Sequence, residues 1–170
     1  THVAGIAAAS GNNGIGVAGV TWGAYIMPVR VLNGCNGTIE ALTAGILWAA
    51  DHGADIGNVS LQYPTATLDQ YNSLRDAINY ARDAGMLLIA ATGNNEVNGQ
   101  VLPGVVAYPA RMPNVIAVSA TNNDDLFCTN ATCGWISVYG NEGDVCAPGD
   151  DIYSTWINGS YTYLFGTSMA

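Results

Sequence analysis

The chain has 170 residues and a formal net charge of −9, with four arginines and no lysine. Its 49% hydrophobic content supports one domain with a real core and excludes disorder. The acidic balance excludes nucleic acid and anionic membrane as partners, and no apolar run is long enough to cross a bilayer.

His2 to Ala9 is alanine-rich and reads as a helix. Ser10 to Gly14 is a turn cluster, and Gly14-Ile15-Gly16-Val17-Ala18-Gly19 has the form G-x-G-x-x-G, with Glu40 downstream as a conceivable ribose ligand. A dinucleotide site is rejected, because that motif must follow a strand and open a helix. Here a helix precedes it, and the strand pattern Ala24 to Leu32 follows. Asn33 to Gly37 is a loop, with Cys35 inside it. Thr38 then caps a helix with Ile39, Leu42, Ile46 and Ala49 on one face, ended by Gly53. Ile56 to Leu61 reads as a strand. Leu68, Tyr71, Leu74, Ile78 and Ala81 mark a second amphipathic helix, closed by Gly85.

Met86 to Ala91 is a continuous apolar run, the signature of a strand buried on both faces, broken by Thr92-Gly93-Asn94-Asn95. Val115 to Ala120 is another such strand, and short strands and turns fill the chain to Tyr163. This strand and helix alternation predicts an α/β fold with a mostly parallel central sheet and helices on both faces. Cys128 and Cys133 bracket a polar turn, which favours a local disulfide over a zinc site whose further ligands could come only from distant His2 and His52. Cys146, in an apolar run, is expected to be a buried thiol.

Phe165-Gly166-Thr167-Ser168-Met169-Ala170 reads as a turn opening a helix, with Ser168 in its first turn. Free N–H groups collect there, so a serine can attack a carbonyl while its own N–H receives the oxyanion. Parallel sheets bind ligands beyond the carboxyl ends of their strands. Asn94 stands just past such an end, where its amide can donate to a developing oxyanion; as a bare turn residue it would only tolerate unusual dihedrals.

The segments Thr1-His2-Val3-Ala4-Gly5, Val29-Arg30-Val31-Leu32, Val59-Ser60-Leu61, Ala90-Ala91-Thr92-Gly93-Asn94, Tyr108-Pro109-Ala110, Val115-Ile116-Ala117-Val118, Ala147-Pro148-Gly149 and Gly166-Thr167-Ser168-Met169-Ala170 stand in the order seen in subtilisin-like serine proteases. The resemblance covers the whole chain. It implies a three-layer fold, truncated at both ends, with residues 1–170 forming part of a peptidase catalytic domain. Ser168 resembles the nucleophile and Asn94 the oxyanion donor. Ser60, Leu61 and Gln62 resemble one wall of the pocket for the substrate residue before the scissile bond, and Ala91, Thr92 and Gly93 the other. Cys35, Asn36 and Gly37 resemble the edge that pairs with extended substrate. Tyr108-Pro109 matches a frequent cis proline of the family.

His2 resembles the second, structural histidine of a His-Gly-Thr-His run, so the catalytic base would lie two residues before Thr1 and the triad aspartate earlier still. Gln62-Tyr63 stands where the family commonly has glycines. Asn12, Asn13 and the backbone near Ile15 and Val17 resemble part of a calcium loop, so calcium is expected, if at all, as a structural ion, with no cofactor required. The resemblance implies a secreted, extracellular, monomeric serine endopeptidase acting on extended polypeptide, and an isolated fragment without activity. The alternative is a pseudoprotease or peptide-binding module. An α/β-hydrolase would need glycine where Ala170 stands, and a phosphate-binding loop would need a lysine.

Overall fold

A computed structural model describes residues 1–94 and 105–170; Asn95, part of the expected break after the buried strand, lies outside them. The chain runs through α1 (His2–Ala8), α2 (Ile39–Asp51), β1 (Ile56–Val59), α3 (Leu68–Asp83), β2 (Leu87–Ala91), β3 (Val115–Thr121), β4 (Val145–Pro148), β5 (Ile152–Thr155) and β6 (Tyr161–Leu164).

Strands β1 to β4 form one sheet in sequence order, every pair parallel. Helix α3 joins β1 to β2, the crossover that parallel neighbours require. Thr38 caps α2 by accepting from Ala41 N–H, and Thr67 caps α3 within a reciprocal capping box with Gln70. Gly53 and Gly85 follow the two helices at φ +77° and +92°, the left-handed conformation that lets the chain turn back toward the sheet. The apolar faces of α2 and α3 meet over Leu88, Ala90, Val115 and Ala117 in one buried core, with Leu74 and Ile78 fully enclosed. The opposite face of β3 turns Ala120 toward Cys128 and Trp135, with Ala170 against them. Sheet and flanking helices are the three-layer α/β arrangement expected. The Tyr108–Pro109 peptide is cis, as the resemblance implies.

Three expectations are corrected. Ala24 to Leu32 is not a strand: it makes no ladder among the described residues, and Ala24 to Pro28 are exposed. A strand exists only through a hydrogen-bonded neighbour, and Val29 and Val31 instead pack by their side chains against Gly45 of α2. Cys146 is exposed, not buried. It lies on β4, which pairs with β3 alone at the edge of the sheet, so alternation of apolar residues does not enclose it. The Met86 to Ala91 run is not buried on both faces throughout, since Leu87 enters the strand 45% exposed.

Candidate active site

The register of the sheet gathers the site. Val59 pairs with Ala90, so Ser60 and Leu61, leaving β1, stand beside Ala91, Thr92 and Gly93, leaving β2. The hairpin β5–β6 then delivers the chain to Gly166, whose N–H donates to Gly149 O at 2.8 Å. The expected helix at Ser168 is a single turn closed by Met169 N–H on Gly166 O at 3.0 Å; residues to Ala170 suffice for no more.

Asn94 and the serine turn are tied together. Asn94 Oδ1 accepts from Thr167 N–H and from Thr167 Oγ–H, both at 2.9 Å. Thr167 Oγ1 in turn accepts from Gly93 N–H at 3.2 Å. Because Oδ1 takes both donors, the end of the amide without a partner among the described residues is its N–H₂. Ser168 Oγ–H donates to Ser60 O at 3.4 Å, and Ser60 Oγ–H returns a bond to Ser168 O at 3.2 Å. Three separate segments are thus locked around one serine.

Asn94, Thr167 and Ser168 line a cleft of about 700 Å³ together with Leu32, Cys35, Asn36, Gly37, Ser60, Leu61, Gln62, Tyr63, Ala91 and Gly93. Of the residues nominated from sequence, Thr92 does not line this cleft: it is fully buried, donates to Val138 O at 2.8 Å and pairs with Ser119 Oγ at 3.2 Å. Sequence reasoning missed Leu32 as a lining residue and Thr167 as the holder of Asn94. The signal for Thr167 was its place directly before Ser168, within reach of whatever orients that turn.

Cys128 and Cys133 are joined in a disulfide with Cα atoms 5.2 Å apart. His2 is buried; its Nε2–H donates to Ile152 O and Thr162 O, each at 3.1 Å, so it fastens α1 to the hairpin. His52 is stacked on the Trp48 ring and hydrogen-bonded through Nδ1 to Trp48 O. Asn12, Asn13 and Ile15 lie exposed in a bent loop, and Val17 just after it is half-buried. A calcium ion needs six to eight oxygens. This segment offers no carboxylate, and Asn13 Oδ1 already accepts from Ile15 N–H at 3.0 Å, so these residues alone do not fit the ion.

The structure thus sets a serine turn and a side-chain amide together beyond the strand ends of a parallel α/β sheet, the place where such sheets bind ligands. The sequence matches the Subtilase family model over residues 1–170, and the chain belongs to that family. It is 43% identical to thermitase of Thermoactinomyces vulgaris, over 100% of this chain and 56% of the relative. With subtilisin Savinase of Lederbergia lenta it shares 39% identity, over 100% of this chain and 57% of that one. The solved structure of sphericase superposes with a TM-score of 0.78 at 33% identity, covering 100% of this chain and 58% of the other. The chain therefore spans just over half the length of these relatives.

Proposed function

We propose that residues 1–170 are the part of a peptidase catalytic domain that supplies the nucleophile, the side-chain oxyanion donor and the substrate cleft of a serine endopeptidase. The observation behind this reading is the pair of hydrogen bonds from Thr167 N–H and Oγ–H to Asn94 Oδ1, which ties Asn94 to the turn carrying Ser168 and leaves its N–H₂ as the group able to donate. A substrate strand lies extended along Cys35, Asn36 and Gly37 and along Ser60, Leu61 and Gln62. A histidine outside these residues takes the proton of Ser168 Oγ as the oxygen attacks the peptide carbonyl. The carbonyl oxygen becomes an oxyanion held by Asn94 Nδ2–H and Ser168 N–H. The C–N bond breaks, the amine leaves with the proton from the imidazolium, and water hydrolyses the acyl-enzyme. The Cys128–Cys133 disulfide fits an oxidising, extracellular setting, and the substrate is polypeptide.

The second reading, a peptide-binding module without cleavage, draws on the fact that both histidines of the sequence are engaged elsewhere. One experiment separates them. Residues 1–170 replace the matching segment of thermitase, and hydrolysis of a chromogenic peptide is followed. Cleavage that vanishes with Ser168→Ala is expected. Cleavage that survives that substitution refutes the role given to Ser168, and a folded graft that binds peptide without cleaving it favours the second reading.

A further inference from the structure

Gln62 makes a contact that no glycine could make. Its side chain leaves the Ser60–Gln62 wall and crosses to the opposite wall. There Oε1 accepts from Asn94 N–H at 2.6 Å, and Nε2–H donates to Asn94 O at 3.2 Å. The amide lies against Gly93, where a Cβ would come within 2.6 Å of Oε1. Gly93 stands at φ +110° and cannot readily take a side chain of its own. Both walls line the cleft. Gln62 itself is exposed, so solvent and space allow its side chain to leave.

We propose that Gln62 is a specificity-determining latch across the pocket for the residue before the scissile bond, holding it to small side chains; this rests on the proteolytic reading above. A substrate with alanine there leaves the latch shut. A substrate with phenylalanine must displace the Gln62 amide and break both of its bonds to Asn94. Two main-chain partners would then need water, and that loss falls on the large side chain alone. Hydrogen bonding of this kind discriminates by side-chain size only because it is made within the enzyme and broken by the ligand.

The test uses residues 1–170 within the thermitase framework and two chromogenic peptides that differ only in alanine or phenylalanine before the cleaved bond. The ratio of kcat/KM for phenylalanine over alanine is measured for the unsubstituted graft, for Gln62→Gly and for Gln62→Glu. Gln62→Gly is expected to raise the ratio about tenfold, the scale on which pocket shape discriminates. Gln62→Glu has the same shape. As a carboxylate it still accepts from Asn94 N–H but faces Asn94 O without a proton, so a smaller rise is expected. That rise reverses as the pH falls and the carboxyl regains a proton to donate. A structural role alone would lower both peptides together and leave the ratio and its pH dependence flat. If Gln62→Gly does not fold, the Glu variant decides. A ratio unchanged within about twofold, with hydrolysis still dependent on Ser168, overturns the latch and leaves the proteolytic reading standing. Hydrolysis independent of Ser168 overturns both.

Discussion

Asn94 has its Oδ1 taken up by Thr167, which on the proteolytic reading leaves the Nδ2–H₂ to donate to an oxyanion. Replacing it with alanine in the thermitase framework removes one oxyanion donor, while Thr167 keeps Gly93 N–H as a partner. A subtilisin that lost its amide donor fell by about 10²–10³ in kcat, a benchmark taken over from the relative and not deduced from this geometry. Asn94→Ala is expected to lower kcat on that scale with little change in KM, and an unchanged kcat would remove Asn94 from the chemistry. Tyr63, on the rim of the same cleft, gives a second residue-level prediction. Its O–H donates to Thr38 O at 3.0 Å. Partial burial, followed by the negative charge of Glu40, holds its pKa above the ordinary 10.0. The folded state thus favours the neutral phenol. The stability this contributes is full below about pH 10 and is lost as the pH rises through the raised value. Tyr80 is also raised, by its hydrogen bond to Asp51. An ultraviolet titration should therefore show late-ionising phenols, and Tyr63→Phe should remove one of them while that of Tyr80 stays.

Helix α3 shows why some elements could be read from sequence and others could not. Its apolar spacing is a local signal, and Leu74 and Ile78 are enclosed as that spacing predicts, while Leu68 in the first turn is 75% exposed. The Thr67 cap, which accepts from Gln70 N–H at 3.3 Å, is a feature that the spacing alone does not give. Gln70 does double service, accepting from Thr67 N–H and donating to Glu40 of α2 at 2.9 Å. Thr67→Ala should lower stability by about 1 kcal/mol through the lost cap. Leu74→Ala should cost about 2–5 kcal/mol, because it opens a cavity where α2 and α3 meet. Both are read as shifts of the denaturation midpoint of the grafted protein with unchanged slope. A larger loss at Thr67 than at Leu74 would contradict the view that the α2–α3 seam dominates. Segment 24–32 had an equally clear local pattern but is no strand, because pairing is not a property of one segment. Cys146 was misread for a related reason: an apolar run looks the same at the centre of a sheet and at its edge. In the cleft, Gly-Thr-Ser and Asn94 stand out as residue types and Thr167 is flagged only by its place before Ser168, whereas the bonds that Thr167 and Gln62 make to Asn94 join positions far apart in the chain, which no local pattern records.

For the molecule as a whole, the decisive question is where Ser168 could find a base. The sequence holds two histidines. One is buried and donates to two hairpin carbonyls, and the other stacks on Trp48 at the surface of α2. Neither is bonded to Ser168, whose hydroxyl is directed to a main-chain carbonyl. A serine without a general base keeps its ordinary, very high pKa and is a poor nucleophile. On the proteolytic reading, Ser168, Asn94 and the cleft are gathered by this chain, and the base for Ser168 is proposed to lie outside its two histidines. The expected outcome is specific. The 170-residue polypeptide should neither hydrolyse a chromogenic peptide nor become labelled at Ser168 by an organophosphonate, whose attack needs the same activated oxygen. Inside the thermitase framework, which supplies its own upstream residues, Ser168 should be labelled and the label should disappear with Ser168→Ala. Mass spectrometry of the labelled peptide locates the adduct in both cases. Labelling of Ser168 in the isolated polypeptide would mean that one of the two histidines leaves its place to serve as base, and His2→Ala and His52→Ala would then identify which.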